Sequence, residues 1–138
     1  GRYHEDFGLM PLIIVEASSV ISTDIYGYFY IQTQNSIMRN DDYNKTVKKV
    51  KDSFYHYDLM IEELNKTELS KRTKENVKLF YTNSILLKID TLNKCERKEA
   101  IMEFKKRKME KNIQIRNVKQ LVKKIILKLN VEWYLKIR

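Results

Sequence analysis

The stretch YNKTVKKVKDSFYHYDLMIEEL runs from Tyr43 to Leu64. Its residues Tyr43, Val47, Val50, Phe54, Tyr57, Ile61 and Leu64 are spaced alternately four and three apart. That spacing returns to one side of an α-helix at every step, and such a stripe buries against another helix. The helix is expected to begin near Asp42.

On the C-terminal side, NKTELSKRT interrupts the pattern after Leu64. Val77, Tyr81, Ile85 and Leu92, with Phe80 and Ile89 beside them, predict a second helix over about 71 to 92. Asn93 to Glu96 reads as a connector. Ile101, Phe104 and Met109 mark a third helix. Val118, Leu121, Val122, Ile125, Leu129 and Trp133 mark a fourth. On the N-terminal side, DIYGYFYIQTQ from Asp24 to Gln34 alternates with a period of two and reads as a strand, with a short second strand at Ser36 to Met38. Before it, a helix is expected from about Phe7 or Met10 to Val20, with Pro11 tolerable in its first turn. All three glycines and the single proline lie at or before residue 27. The rest of the chain therefore lacks the residues of tight strand turns. The expected fold is mainly α, a helical bundle or hairpins with at most a small β element. Its helices would pair antiparallel, with homodimer contacts.

The 138 residues suit one domain, and 43% hydrophobic with 33% charged residues suits a globular chain. A lone Cys95 excludes an intrachain disulfide. The apolar run Leu9 to Val15 is interrupted by Pro11, stops at Glu16 and has no basic leader. It reads as neither a membrane span nor a signal peptide. His4, His56 and Cys95 do not form a ligand set, so no metal site is expected. Ser18 and Ser19 lack the glycines of a nucleophile elbow.

Charge is segregated. Residues 1–39 carry a net −2, residues 40–103 a net +1 and residues 104–138 a net +10. A basic tail attracts an anionic membrane or another polyanion, while lysines also serve simply to solvate a helix. The apolar face of the fourth helix is flanked by Lys119, Lys123, Lys124, Lys128 and Lys136. With Trp133 near its end, it suits the interface of an anionic membrane. It equally suits burial against the other helices. Nucleic acid is disfavoured, because arginine is scarce in the tail and no recognition motif stands there.

Glu5 and Asp6 precede the first helix. In one reading they are charges favoured at a helix N-terminus. In the other, one is a general base beside an apolar wall. HEDFGLMPLIIVEASSV (His4–Val20) followed by YGYFYIQTQNSIMR (Tyr26–Arg39) resembles the C-terminal part of a bacterial family-2 glycosyltransferase, an inverting enzyme of the GT-A type. The shared pattern is an acidic pair, an amphipathic helix with a small residue (Ala17) near its end, Tyr28-x-Tyr30 and Asn35-Ser36-Ile37. It covers about residues 3 to 40.

The resemblance implies that Asp6 is the catalytic base and that Glu5 orients it or contacts the acceptor. Tyr28 and Tyr30 read as wall rather than catalysis; Tyr30, Ser36 and Arg39 are the substrate-binding candidates. It also implies that residues 1–40 end a catalytic domain and that residues 41–138 are a helical extension. The enzyme would move a sugar from a nucleotide donor to a glycan or lipid-linked acceptor, at the cytoplasmic side of a bacterial membrane. Family members hold Mg²⁺ or Mn²⁺ with the nucleotide sugar through an Asp-x-Asp motif in a donor-binding half. This chain has no such motif, and Asp41-Asp42 is not a substitute. No cofactor is assigned to it, and no activity is expected from it alone. The rival reading is a helical interaction or membrane-docking module without chemistry.

Overall fold

The structure is a computed structural model that describes residues 5–25, 42–115 and 117–137. The described residues form α1 (Glu5–Glu16), α2 (Tyr43–Lys66), α3 (Lys71–Asp90), α4 (Lys94–Lys106), α5 (Val118–Leu129) and α6 (Val131–Ile137). A 3₁₀ turn, Met109–Asn112, joins α4 to the segment before α5. The fold is mainly α, as the sequence predicts, and no strand occurs among the described residues. The strand expected at Asp24 to Gln34 falls largely, and that at Ser36 to Met38 wholly, outside them.

Each boundary has a local cause. The Asp42 carboxylate accepts from the Asn44 amide at 2.9 Å and opens α2. Ser70 Oγ accepts from the Thr73 amide at 3.2 Å at the start of α3. Asn93 Oδ1 accepts from the Cys95 amide and opens α4. The expected connector at Asn93 to Glu96 is therefore already the cap and first turn of a helix. Asn117 caps α5 in the same way. Asn130 leaves helical geometry at φ −150°, ψ 105°, while its side chain accepts from the Trp133 amide at 2.9 Å. One asparagine thus ends α5 and starts α6, so the single fourth helix expected from the sequence is two.

Tyr57 of α2 faces Tyr81 of α3 with ring centroids 6.1 Å apart. Further back along α2, Ser53 meets Lys88, further forward along α3. The two helices therefore run antiparallel. Tyr43 meets Asn93 and Glu96 at the starts of α2 and α4, and Asp58, further along α2, meets Arg107 just past the end of α4. α4 thus runs parallel to α2. Arg107 closes this end with a fork to Asp58 at 2.8 and 2.7 Å, a bond to Glu103, and its guanidinium 4.9 Å from the Phe54 ring centre. The guanidinium holds the Glu103 carboxyl below the usual carboxylate range.

The core between α2, α3 and α4 contains Val50, Phe54, Tyr57 and Leu64 from the predicted stripe. Tyr81, Ile85, Ile89 and Phe104 face them. Met60 is equally buried although it lies off the stripe. Val131, Tyr134 and Leu135 of α6 and Leu127 of α5 close the far side. Asn112 donates to Tyr57 Oη and Thr82 Oγ1, both at 3.0 Å, and ties the 3₁₀ turn to both long helices.

Candidate functional site

The acidic pair opens α1 itself: Glu5 is its first residue and Asp6 its second. Both belong to the first turn, where negative charge is favoured by the unsatisfied amides of the helix start. The Asp6 side chain is exposed. The helix begins and ends earlier than expected, at Glu16 instead of Val20. Pro11 consequently lies inside it rather than in its first turn.

That position has a consequence for what fastens α1. An interior proline has no N–H for the carbonyl four residues back, which here belongs to Phe7. The Phe7 carbonyl accepts instead from Tyr81 Oη at 2.8 Å. A phenol from α3 thus replaces the missing amide. Burial pushes the Tyr81 hydroxyl up to about 12, so it stays a donor across the neutral range.

The Phe7 ring makes the second attachment. It lies 4.6 Å from the Tyr81 ring, 5.7 Å from Phe80 and 6.5 Å from His56, measured between centroids. The Lys88 ammonium sits 3.9 Å above it and donates to Ser53 Oγ at 2.7 Å. Burial and the nearby Lys49 charge push Lys88 down to about 8. Gly8 makes the third. A Cβ there would stand 2.1 Å from His56 Nδ1, so the absence of a side chain sets the closeness of α1 and α2. His56, one residue off the predicted stripe, is buried. The cause is α1, which covers the side of α2 that a single stripe leaves open.

α1 therefore has two apolar sides. Phe7, Leu12 and Val15 pack on the core. Leu9, Met10, Ile13 and Ile14 are each about half exposed. Val20, Ile21 and Ile25 beyond the helix are more exposed still. Tyr30, Ser36 and Arg39 lie outside the described residues, so Asp6 is the one candidate site residue whose side chain can be placed beside α1. Among the described residues no group of three or more His, Cys, Asp and Glu side chains gathers as a metal site.

The tail differs from its packing expectation. In α5 the buried side chain is Leu127, with Ile126 packed against the core. Val118, Leu121, Val122, Ile125 and Leu129 form an exposed stripe, continued by a half-exposed Trp133 on α6. Lys119, Lys123 and Lys128 are exposed around it. Lys124 is turned inward, donating to the carbonyls of Lys111 at 3.1 Å and Ile113 at 2.8 Å. No described helix is long and apolar enough to cross a membrane. Comparison of the chain with protein-family models, curated proteins and solved structures yields no match.

Proposed function

We propose that this chain is the C-terminal portion of an inverting glycosyltransferase that uses a nucleotide-sugar donor, with Asp6 as the acceptor-side base. The observation that carries the reading is the two-sided α1. It is bolted to the helical body through Phe7 and Gly8, and it presents Leu9, Met10, Ile13 and Ile14 on its other side. An apolar face of that kind fits a helix held between two bodies. The acidic pair at its start then stands at their junction.

In the proposed reaction the Asp6 carboxylate accepts the proton of an acceptor hydroxyl as that oxygen attacks the anomeric carbon. The new carbon–oxygen bond forms as the bond to the nucleotide diphosphate breaks. The bonding pair leaves with the diphosphate, and the configuration inverts in one displacement. Glu5 shares the helix start and would orient the base or contact the acceptor. The divalent ion used by such enzymes would help carry away the diphosphate charge. No ligand set for it occurs among the described residues.

Because the Asp6 side chain is exposed, Asp6→Asn should leave the helical fold intact. In the full-length enzyme it should lower sugar transfer by roughly 10²-fold or more. A near-normal rate in a folded variant would remove Asp6 from the mechanism.

A second reading concerns location. The exposed α5 stripe, ringed by lysines, supports docking on an anionic membrane surface. The acceptor side of the reaction would then be brought to a lipid-linked glycan.

A further inference from the structure

We infer that the groove between α3 and the segment leading into α5 binds a phosphate-bearing ligand. The groove encloses about 510 Å³. Lys78 of α3, Lys111 of the 3₁₀ turn and Lys124 of α5 line it, together with Glu75, Asn112 and Gln114.

Its electrostatics are unbalanced. None of the ion pairs among the described residues involves any of these three lysines. Glu75 is the one carboxylate on the lining, and it too belongs to none of these pairs. Lys124 is held in place by two backbone carbonyls. Carbonyls position an ammonium without cancelling its charge, and one of its three N–H groups remains for another acceptor. Three cations drawn from three separate elements therefore face one concavity. Such a gathering is stabilised by a compact polyanion, and a phosphomonoester or diphosphate supplies several acceptor oxygens and about two charges.

The groove also lies beside the exposed stripe, because Lys124 stands one helical turn from Leu121 in α5. A phosphate displayed at a lipid surface would meet the lysines as the stripe meets the acyl boundary. A soluble phosphate offers the same chemistry. The site itself requires neither the glycosyltransferase reading nor the membrane reading; the lipid source rests on the latter.

The test titrates the 138-residue chain with inorganic pyrophosphate by calorimetry. Parallel arms measure binding to vesicles of phosphatidylcholine alone, with phosphatidylglycerol, or with phosphatidic acid at matched charge. Lys78→Ala/Lys111→Ala is compared with Lys94→Ala/Lys98→Ala on α4, exposed lysines away from both groove and stripe, which loses the same charge elsewhere; circular dichroism checks both folds. Pyrophosphate should bind saturably, and the groove variant should weaken it roughly tenfold or more, the control about twofold or less. Preference for phosphatidic acid over phosphatidylglycerol, lost in the groove variant, identifies a lipid source. Pyrophosphate binding without that preference keeps the groove and assigns a soluble ligand. No saturable pyrophosphate binding, or equal loss in the control, overturns the inference. Vesicle binding that survives in that case leaves the membrane reading standing by itself.

Discussion

Pro11 and Tyr81 are seventy residues apart, and one unmet hydrogen bond joins them. The proline withholds an amide from the Phe7 carbonyl, and the tyrosine hydroxyl supplies a donor at 2.8 Å. Tyr81→Phe should therefore cost about 1–2 kcal/mol, because it leaves a part-buried carbonyl without its partner. In a Pro11→Ala background the helix can supply its own amide, and the same change should cost well under about 1 kcal/mol. Urea unfolding of the four chains measures the coupling; equal losses in both backgrounds would break the link. Neither residue announces the pairing in the sequence. Tyr81 reads there as a core aromatic and Pro11 as a first-turn residue, because the exchange of partners exists only between elements.

Single elements were largely legible, and relations between elements were not. The Tyr43–Leu64 stripe identified α2 and four of its buried residues, since a period close to that of the helix is an intrinsic property of the chain. It missed Met60, Ser53 and His56, all buried, because a stripe describes one neighbour and α2 has several. In the tail the same reasoning selected the more hydrophobic side of α5, whereas the core takes Leu127 and the α6 residues beyond Asn130. The break at Asn130 changes which residues face inward after it. At the candidate site the acidic pair could be read from sequence, but its anchors could not. Gly8 tests the closest of these approaches. Ala is ordinarily the better helix residue by about 1 kcal/mol. Here its Cβ meets the buried His56 ring, so Gly8→Ala should destabilise by about 1–3 kcal/mol. Thermal unfolding would show the sign, and a stabilised variant would contradict the close packing of α1 on α2.

For the whole molecule the same junction sets a pH dependence. Lys88 falls from 10.5 to about 8 on folding, through burial and Lys49. Between those values the unfolded chain keeps a proton that the folded one has released, so stability rises with pH across this window. Tyr81 behaves oppositely, rising from 10.0 to about 12, and burial also raises Tyr57. Above about pH 10 the unfolded chain loses protons that the folded one keeps, and stability falls. Unfolding free energies should therefore peak near pH 10. Lys88 is partly exposed, so the rise should be on the order of 1–2 kcal/mol after allowing for solvent screening. Lys88→Met should abolish the rise and preserve the fall. A wild-type profile flat between pH 8 and 10 would exclude the lysine as its source.

The borrowed donor at Phe7 also imposes a chronology. A helix of 12 residues with an internal proline has little stability in isolation. Its missing bond is completed from a helix that emerges from the ribosome much later. During synthesis, the helix backbone that begins at Glu5 and Asp6 must wait for α3, and it is fastened only once the body behind it has assembled. By the proposed reading, a nascent or truncated chain would carry the base without aiming it. Chemistry at that end would then be switched on by completion of the other.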